Sequence, residues 1–309
     1  MAYWNQRTIA KRVSCTGVGL HSGKRAALAL CPAQPDSGIT FLRRDAGVEI
    51  PARAENVVDT RLSTSLGVGA VRIATVEHVL AALTGMGIDN CRIEVDGPEI
   101  PILDGSAAPF VYLIQEARVR TQEAGKRFLL VQEAVEVRDG DKLARIEPAR
   151  ELSVRFTADF NHPLITDQTF HFVFSDRAFA REVARARTFC FLRDVERMQA
   201  AGLALGGSLD NAIVVDEFSI LNPGGLRYPD EFVRHKVLDV MGDLTLFGLP
   251  IIATFCAHKS GHALNQALVR KILAEMRRHR VVRVTAEKEL EPLQIRLPAL
   301  GIPDLRAVP

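Results

Sequence analysis

The sequence contains few cysteines and no cysteine pair at a metal-binding spacing. Five of its 309 residues are cysteine, an odd number, and no two of them form a CxxC pair. This argues against a disulfide framework and against a zinc site built from thiolates. Free thiols are typical of the reducing cytoplasm, where we expect the protein.

Long apolar runs and an excess of one charge are also missing. No stretch of about 18 apolar residues occurs, so we expect no transmembrane helix. The first 13 residues, MAYWNQRTIAKRV, lack the apolar centre of a signal peptide. The formal net charge of +2 is too balanced to indicate binding of nucleic acid or a polybasic membrane patch. We therefore predict a soluble cytoplasmic protein without a nucleic-acid partner or an integral membrane segment, and we expect a monomer.

Each half of the chain has a pattern of short strands followed by helices. A length of 309 residues suggests two domains, and a polar stretch at Gly125 divides them into 1–125 and 126–309. The pattern favours an α+β fold over a doubly wound parallel sheet. We predict helices at residues 75–84 (with Thr75 as the N-cap), 106–117, 178–186, 230–247 and 264–280. We predict strands at residues 26–31, 39–43, 90–95, 128–137, 144–148, 152–160, 251–257 and 281–285.

His235 and Asp239 are the first candidates for metal ligands. They stand four residues apart in a predicted helix, so they lie on one face of it. An imidazole and a carboxylate both suit Zn²⁺, and a catalytic zinc site takes three protein ligands and leaves one position open. The third ligand must come from elsewhere, and the pair alone is more typical of a charged surface pair.

Two further segments carry titratable side chains beside apolar ones. Glu77 and His78 begin the predicted helix 75–84, where they would supply a base and the third ligand, although acidic residues are common in exposed first turns. His262 lies where a predicted strand gives way to a helix, with Ser260 or a neighbour as the cap. A solvated loop histidine is the alternative for His262.

Rival catalytic motifs are missing from the sequence. There is no HExxH zinc-protease motif and no GxSxG nucleophile elbow. The segment GVGLHSGK at 17–24 has its outer glycines one residue too far apart for a phosphate-binding loop, and Arg25 stands where that loop needs Ser or Thr.

Taken in order, the segments closely resemble the UDP-3-O-acyl-N-acetylglucosamine deacetylases of Gram-negative bacteria. The resemblance covers nearly the whole chain and is specific because many short motifs occur in the same order. The matching segments are GVGLHSGK (17–24), TVEH (75–78), GIDNCRIEVDGPEIPILDGSAAPF (87–110), FNHP (160–163), RARTFCFLRD (185–194), GGSLDNAIV (206–214), LNPGGLRYPDEFVRHKVLDVMGDL (221–244) and KSGHALNQALVR (259–270).

The resemblance implies the reaction and the metal. Members of this family remove acetate from UDP-3-O-(3-hydroxyacyl)-N-acetylglucosamine, the committed step of lipid A biosynthesis. By resemblance, His78, His235 and Asp239 bind one catalytic Zn²⁺, and Fe²⁺ could take its place in cells because it accepts the same ligand types.

The resemblance also implies the roles of five neighbouring residues. Glu77 would be the general base, and His262 would be a second acid/base group in its charged form. Thr188 would donate a hydrogen bond to the developing oxyanion. Lys236 would add positive charge, and Asp243 would orient His262.

The family's fold and substrate site give the remaining expectations. Two similar domains would each layer a β-sheet with two α-helices, with the active site between the layers and an insert at 189–205 lining an apolar tunnel for the acyl chain. Ser63 stands where some members carry a cysteine. The substrate-lining positions would be Leu62, Phe160, Phe189, Phe191 and Lys259, and the tunnel would also include Met198, Leu203 and Leu205.

Two other functions would fit parts of this pattern. A zinc amidohydrolase for a different acyl-sugar would keep the same metal site. A binding module for a nucleotide-sugar would need no zinc, and the complete set of ligands and acid/base residues argues against it.

Overall fold

Two large β-sheets form the frame of the protein, and helices pack against each of them. The structure is a computed structural model that describes residues 3–298 and 301. The mixture of sheets and helices confirms the predicted α+β class.

The first half of the chain forms a five-stranded sheet in the order β2-β3-β9-β4-β5 and a small sheet of β6, β7 and β8. Strand β9 is parallel to β4, whereas the other neighbours in the larger sheet are antiparallel. The strands are β1 (Asn5–Ile9), β2 (Val13–Val18), β3 (Arg25–Pro32), β4 (Ile39–Arg43), β5 (Val48–Pro51), β6 (Val57–Asp59), β7 (Ser65–Val68), β8 (Val71–Ile73) and β9 (Cys91–Asp96). The helices are α1 (Glu77–Gly85) and α2 (Ala108–Ala117).

The second half forms an eight-stranded sheet with β17 at its centre, bordered by β10, β12 and β13. The residues of β17 (Ile251–His258) are mostly apolar, as expected for a central strand, because such a strand is covered on both faces. The strands are β10 (Val119–Leu130), β11 (Val135–Asp139), β12 (Lys142–Pro148), β13 (Ser153–Ala158), β14 (Gln168–Val173), β15 (Phe189–Phe191), β16 (Ile213–Val215), β17 (Ile251–His258) and β18 (Arg280–Val284). The helices are α3 (Asp176–Ala178), α4 (Leu192–Ala200), α5 (Glu231–Leu244), α6 (His262–Ala274) and α7 (Leu290–Leu293).

The N-terminal strand β1 joins the sheet of the second half. It pairs with residues 119–125 of β10, whereas residues 126–130 of β10 pair with β18. The division of the chain into 1–125 and 126–309 therefore falls where β10 changes partner, and we retain that division as a proposal.

One predicted helix cap was wrong, and two other helix predictions hold with a difference in detail. Thr75 does not cap α1, because its backbone has a φ of 59° and its hydroxyl donates to Glu99 instead. Of the two alternatives for the cap of α6, Ser260 or a neighbour, the structure has the neighbour, because Gly261 occupies the N-cap position and the Ser260 hydroxyl donates to Asn265. The stretch predicted as helical at 178–186 is helical, and most of it is a π-helix at Phe179–Val183.

Helices α1 and α5 cross in close contact and join the two halves. Gly242 on α5 permits this approach, because a Cβ atom there would lie 2.2 Å from the carbonyl oxygen of Glu77. Every residue of α1 except Thr84 is buried. The crossing therefore places the first turn of α1 beside the face of α5 that carries His235 and Asp239.

Within residues 3–298 and 301, no helix has both the length and the apolar character needed to span a membrane. All five cysteines are free thiols, as predicted.

Candidate metal centre and acid/base site

His78, His235 and Asp239 converge on one point at the crossing of α1 and α5. Each offers one ligand atom, and the three atoms lie within 4.8 Å of one another. Nε2 of His235 is 3.3 Å from Oδ1 of Asp239. Two ligands of one tetrahedral zinc ion, each about 2.1 Å from the metal, stand about 3.4 Å apart, so this pair fits such an ion.

The surroundings of His235 leave one of its nitrogens free for a metal. Nδ1 lies 3.0 Å from the carbonyl oxygen of Ala186 and donates its proton there, so Nε2 keeps its lone pair toward Asp239. Such a hydrogen bond from the second nitrogen fixes the tautomer and the ring orientation of a metal-binding histidine.

Burial and the neighbouring charges keep the triad in the protonation states that bind a cation. Burial, aided by the neighbouring His235, lowers the pKa of His78 to about 3, so its ring is neutral near pH 7. Burial would raise the pKa of Asp239, but Lys236 and the nearby histidines lower it below its usual range. The result is two neutral imidazoles and one carboxylate, which are the forms that bind metal.

Glu77 lies at the start of α1, 3% exposed, rather than on a solvated first turn. Burial raises the pKa of its carboxyl group to about 7, although the positive charge of His262 acts against this. Its Oε2 accepts a hydrogen bond of 3.0 Å from the backbone N–H of Thr64. Glu77 is thus a fixed carboxylate that can gain or lose a proton near neutral pH, as a general base must.

His262 is the first residue of α6, and its ring is held by Asp243 rather than by solvent. Its Nδ1 donates to Oδ2 of Asp243 over 3.0 Å, and its Nε2 lies 3.9 Å from Oε1 of Glu77. Burial alone would lower the pKa of His262, but the charge and hydrogen bond of Asp243 raise it to about 9. The imidazole is therefore charged near pH 7 and able to act as an acid.

Lys236 and Thr188 complete the polar wall of the site. Nζ of Lys236 donates to Oδ2 of Asp239 over 2.6 Å, which places its positive charge beside the triad. Thr188 is held through its backbone, since its N–H donates to Gly105 and its carbonyl oxygen accepts from Ile213. Thr188 lines the same cleft.

The cleft above the triad has a volume of about 860 Å³ and contains the predicted substrate positions. Phe160, Phe189 and Phe191 form a cluster of rings with centroids 5.2 to 6.5 Å apart. Of the tunnel residues, Met198 and Leu203 line the cleft, but Leu205 is 54% exposed and packs near Gly23 instead. The cleft is also lined by Leu62 and by Lys259, whose ammonium group pairs with Asp141 and Asp159.

A second cavity, of about 160 Å³, lies elsewhere in the molecule. Its walls include Lys126, Phe128 and Leu244, and none of the predicted site residues contributes to it.

Sequence reasoning missed three residues that support the site. Thr64 contacts both Glu77 and Asp243. Arg187 and Glu231 form a buried ion pair at 2.9 Å that secures the segment carrying Ala186 and Thr188. No helical or strand periodicity in the sequence marks these residues, because their partners lie far away along the chain.

Fold and site together define a class of protein. It is an α+β protein in which two buried histidines and one carboxylate could hold a metal ion. A second carboxylate and a third imidazole lie beside them, where they could transfer protons. The chain belongs to the UDP-3-O-acyl N-acetylglycosamine deacetylase (LpxC) family, whose sequence model matches residues 6–274.

Three curated relatives named UDP-3-O-acyl-N-acetylglucosamine deacetylase are similar along nearly their whole length. The protein of Anaeromyxobacter dehalogenans (strain 2CP-C) is 70% identical over 98% of both chains. That of Anaeromyxobacter sp. (strain Fw109-5) is also 70% identical, over 98% of this chain and 99% of its own. The Myxococcus xanthus (strain DK1622) protein is 59% identical over 93% of this chain and 92% of its own.

Proposed function

We propose that the protein hydrolyses the N-acetyl group of UDP-3-O-(3-hydroxyacyl)-N-acetylglucosamine and releases acetate, the committed step of lipid A biosynthesis. The observation that carries this proposal is the convergence of Glu77, His262 and the His78–His235–Asp239 triad on one cleft, in a chain 70% identical to relatives named for this activity. A nucleotide-linked substrate supports a cytoplasmic location for the reaction, and we expect the protein to act as a monomer.

The triad fits a zinc ion, and His78, His235 and Asp239 would hold it. The fit rests on the 3.3 Å separation of two ligand atoms and on the tautomer that Ala186 imposes on His235. When bound, zinc polarises an amide carbonyl and lowers the pKa of water toward about 7.

Proton transfer at the cleft falls to Glu77 and His262. Glu77 accepts a proton from the water that attacks the acetyl carbon. The carbonyl oxygen gains negative charge, and the Thr188 hydroxyl donates a hydrogen bond to it while Lys236 adds positive charge nearby. Nε2 of His262 then donates its proton to the departing amine nitrogen, so the carbon–nitrogen bond breaks with a neutral leaving group.

The rest of the cleft would hold the remainder of the substrate. The ring cluster of Phe160, Phe189 and Phe191, continued by Met198 and Leu203, supplies an apolar wall for an acyl chain. Lys259 and Leu62 lie at the same cleft and would contact the sugar or its nucleotide.

Acetate release from the UDP-linked acyl-sugar tests the proposal directly. Purified protein should release acetate, lose the activity on chelation and regain it when zinc is added. No release from folded, zinc-loaded protein would contradict the assignment, and a panel of other N-acetylated acyl-sugars would then identify the amidohydrolase. Shortening the acyl chain should lower kcat/KM, since binding of remote groups contributes to catalysis.

A further inference from the structure

Thr64 lies in the turn between β6 and β7 and is completely buried. All three of its polar groups bond to elements that carry the site. Its N–H donates to Oε2 of Glu77 over 3.0 Å, and its hydroxyl donates to Oδ1 of Asp243 over 2.8 Å. Its carbonyl oxygen accepts from the N–H of Val76, just before α1. One residue of the first half of the chain thus touches both the base and the partner of the acid.

The hydroxyl of Thr64 is the only short donor to Oδ1 of Asp243 among the hydrogen bonds of residues 3–298. The other donor to this oxygen, Nε2 of Gln266, stands 3.4 Å away, where a hydrogen bond is weak. The second oxygen, Oδ2, accepts from Nδ1 of His262 and from Nδ2 of Asn265, over 3.0 and 2.8 Å. Without the Thr64 hydroxyl, Oδ1 of this buried carboxylate would lose its main partner. The carboxylate would then be held chiefly through Oδ2, and it could rotate about the bonds made there.

Rotation of the Asp243 carboxylate would move the ring of His262. The ring is tied to Asp243 through Nδ1, so the direction of Nε2 follows the plane of the carboxylate. Nε2 stands 3.9 Å from Glu77 and 4.0 Å from Asp239, at the point where the proposed reaction needs a proton. A misplacement of about 1 Å at such a point can cost a hundredfold in rate.

We propose that Thr64 is a positioning residue of the reaction: its hydroxyl fixes Asp243 and, through it, His262, while its backbone N–H holds Glu77. Thr64 is not a member of the triad, and it would act through Asp243 and Glu77 rather than on the acetyl group. The inference rests on the proposed function, since it concerns the residues that transfer protons there.

Thr64→Val and Thr64→Ser form a matched pair for the test. Valine keeps the shape of threonine but cannot donate, whereas serine keeps the hydroxyl. We expect kcat of Thr64→Val to fall by about tenfold to a hundredfold, with KM and zinc content unchanged, and kcat of Thr64→Ser to stay near that of the unchanged protein. If Thr64→Val does not fold, Thr64→Ala removes the same donor without crowding Asp243. Unchanged kcat in a folded variant without the hydroxyl would overturn the proposal.

A double-mutant cycle with His262→Ala separates positioning from a general loss of structure. If Thr64 acts through His262, Thr64→Val should change the residual kcat of His262→Ala by less than about twofold, because interacting positions are not additive. The same fractional loss in both backgrounds would overturn the proposal. Acetate release by the unchanged protein, measured in the same assay, tests the proposed function separately, so the two failures are distinguishable.

Discussion

Glu77 and His262 face each other across 3.9 Å at the floor of the cleft, and both have pKa values far from their usual range. The pKa of Glu77 is raised to about 7 by burial, and that of His262 to about 9 by Asp243 in spite of burial. At neutral pH the pair can thus hold a carboxylate and an imidazolium at once. This is the combination that amide hydrolysis with a base and an acid requires.

The pH dependence of kcat/KM should be bell-shaped. Activity rises as Glu77 loses its proton near pH 7 and falls as His262 loses its proton near pH 9. A bound cation favours the deprotonated form of both groups, so the measured limbs should lie at or below these values. Assays between pH 5 and 10 measure the profile, and its two values belong to the coupled pair. An alkaline limb that persists unchanged in His262→Ala would contradict the role of His262.

Removing either proton-transfer residue should abolish turnover without removing the metal. We expect Glu77→Ala and His262→Ala each to lower kcat by orders of magnitude, since general acid–base catalysis contributes about 10²- to 10⁴-fold. Zinc content should stay near one ion per chain, because neither residue belongs to the triad. Atomic absorption with a kinetic assay measures both, and loss of zinc in His262→Ala would argue that it is a ligand instead.

The sequence patterns indicated which residues belong to the candidate site, but they did not indicate that these side chains are buried. Taken alone, His235–Asp239 resembled a surface pair and Glu77 an exposed first turn, yet all three side chains are buried. Only the ordered set of motifs identified them as one group. Thr64 had no signal at all, because its hydrogen bonds depend on contacts 13 and 179 residues away along the chain.

The crossing of α1 and α5 determines how closely the ligands approach. Gly242 faces the backbone of Glu77, and a Cβ atom there would lie 2.2 Å from a carbonyl oxygen that cannot rotate away. The two helices can therefore approach this closely only because position 242 has no side chain.

Gly242→Ala should destabilise the protein and displace Glu77. Overpacking of a tight contact costs about 1–3 kcal/mol, so we expect at least that loss in the free energy of unfolding, measured with urea. kcat should fall as well, because Glu77 begins α1. Gly224→Ala is the control, since a Cβ atom at Gly224 meets nothing within 4 Å. Equal stability of the two variants would mean that α1 and α5 do not depend on this contact.

The long helices and several strands were predicted near their observed places, but their ends were not. The strand predicted at 128–137 was wrong, because the chain leaves β10 after Leu130 and begins β11 at Val135. Strand 39–43 was predicted with its observed bounds, and α5 lies within the predicted helix 230–247. Thr75 was misread because its hydroxyl bonds to Glu99, which is distant along the chain, and because its backbone has a positive φ. Leu205 was misread because an apolar residue in a loop can face solvent as readily as a tunnel.

At the scale of the whole molecule, the triad is shared between the two halves of the chain. His78 belongs to α1 of the first half, whereas His235 and Asp239 belong to α5 of the second. An ion held by all three therefore links the halves, and its binding energy adds to the stability of their contact.

Zinc should raise the melting temperature, and chelation should lower it. A ligand that binds only the folded state at a hundred times its Kd adds about 2.7 kcal/mol of stability. We expect Tm to rise with added zinc until the site is saturated. Asp239→Ala is the control, because it removes a ligand and should show lower zinc occupancy and little response. A similar rise of Tm in that variant would indicate that zinc binds elsewhere.

The α+β class was predicted from the short strands that precede helices in each half, and the layering of sheets with helices was implied by the family resemblance. The entry of β1 into the sheet of the second half could not be predicted, because it depends on pairing with a strand more than a hundred residues away. The sequence pattern of a strand does not show which distant strand it pairs with.

The division of the triad between α1 and α5 also affects the protein while it is being synthesised. A ribosome makes α1 long before α5, so a growing chain exposes His78 without its two partners. A single histidine holds zinc weakly, so a chain that ends before α5 lacks two of the three side chains proposed to hold the ion. The proposed metal centre can therefore be completed only after α5 has been made and has packed against α1.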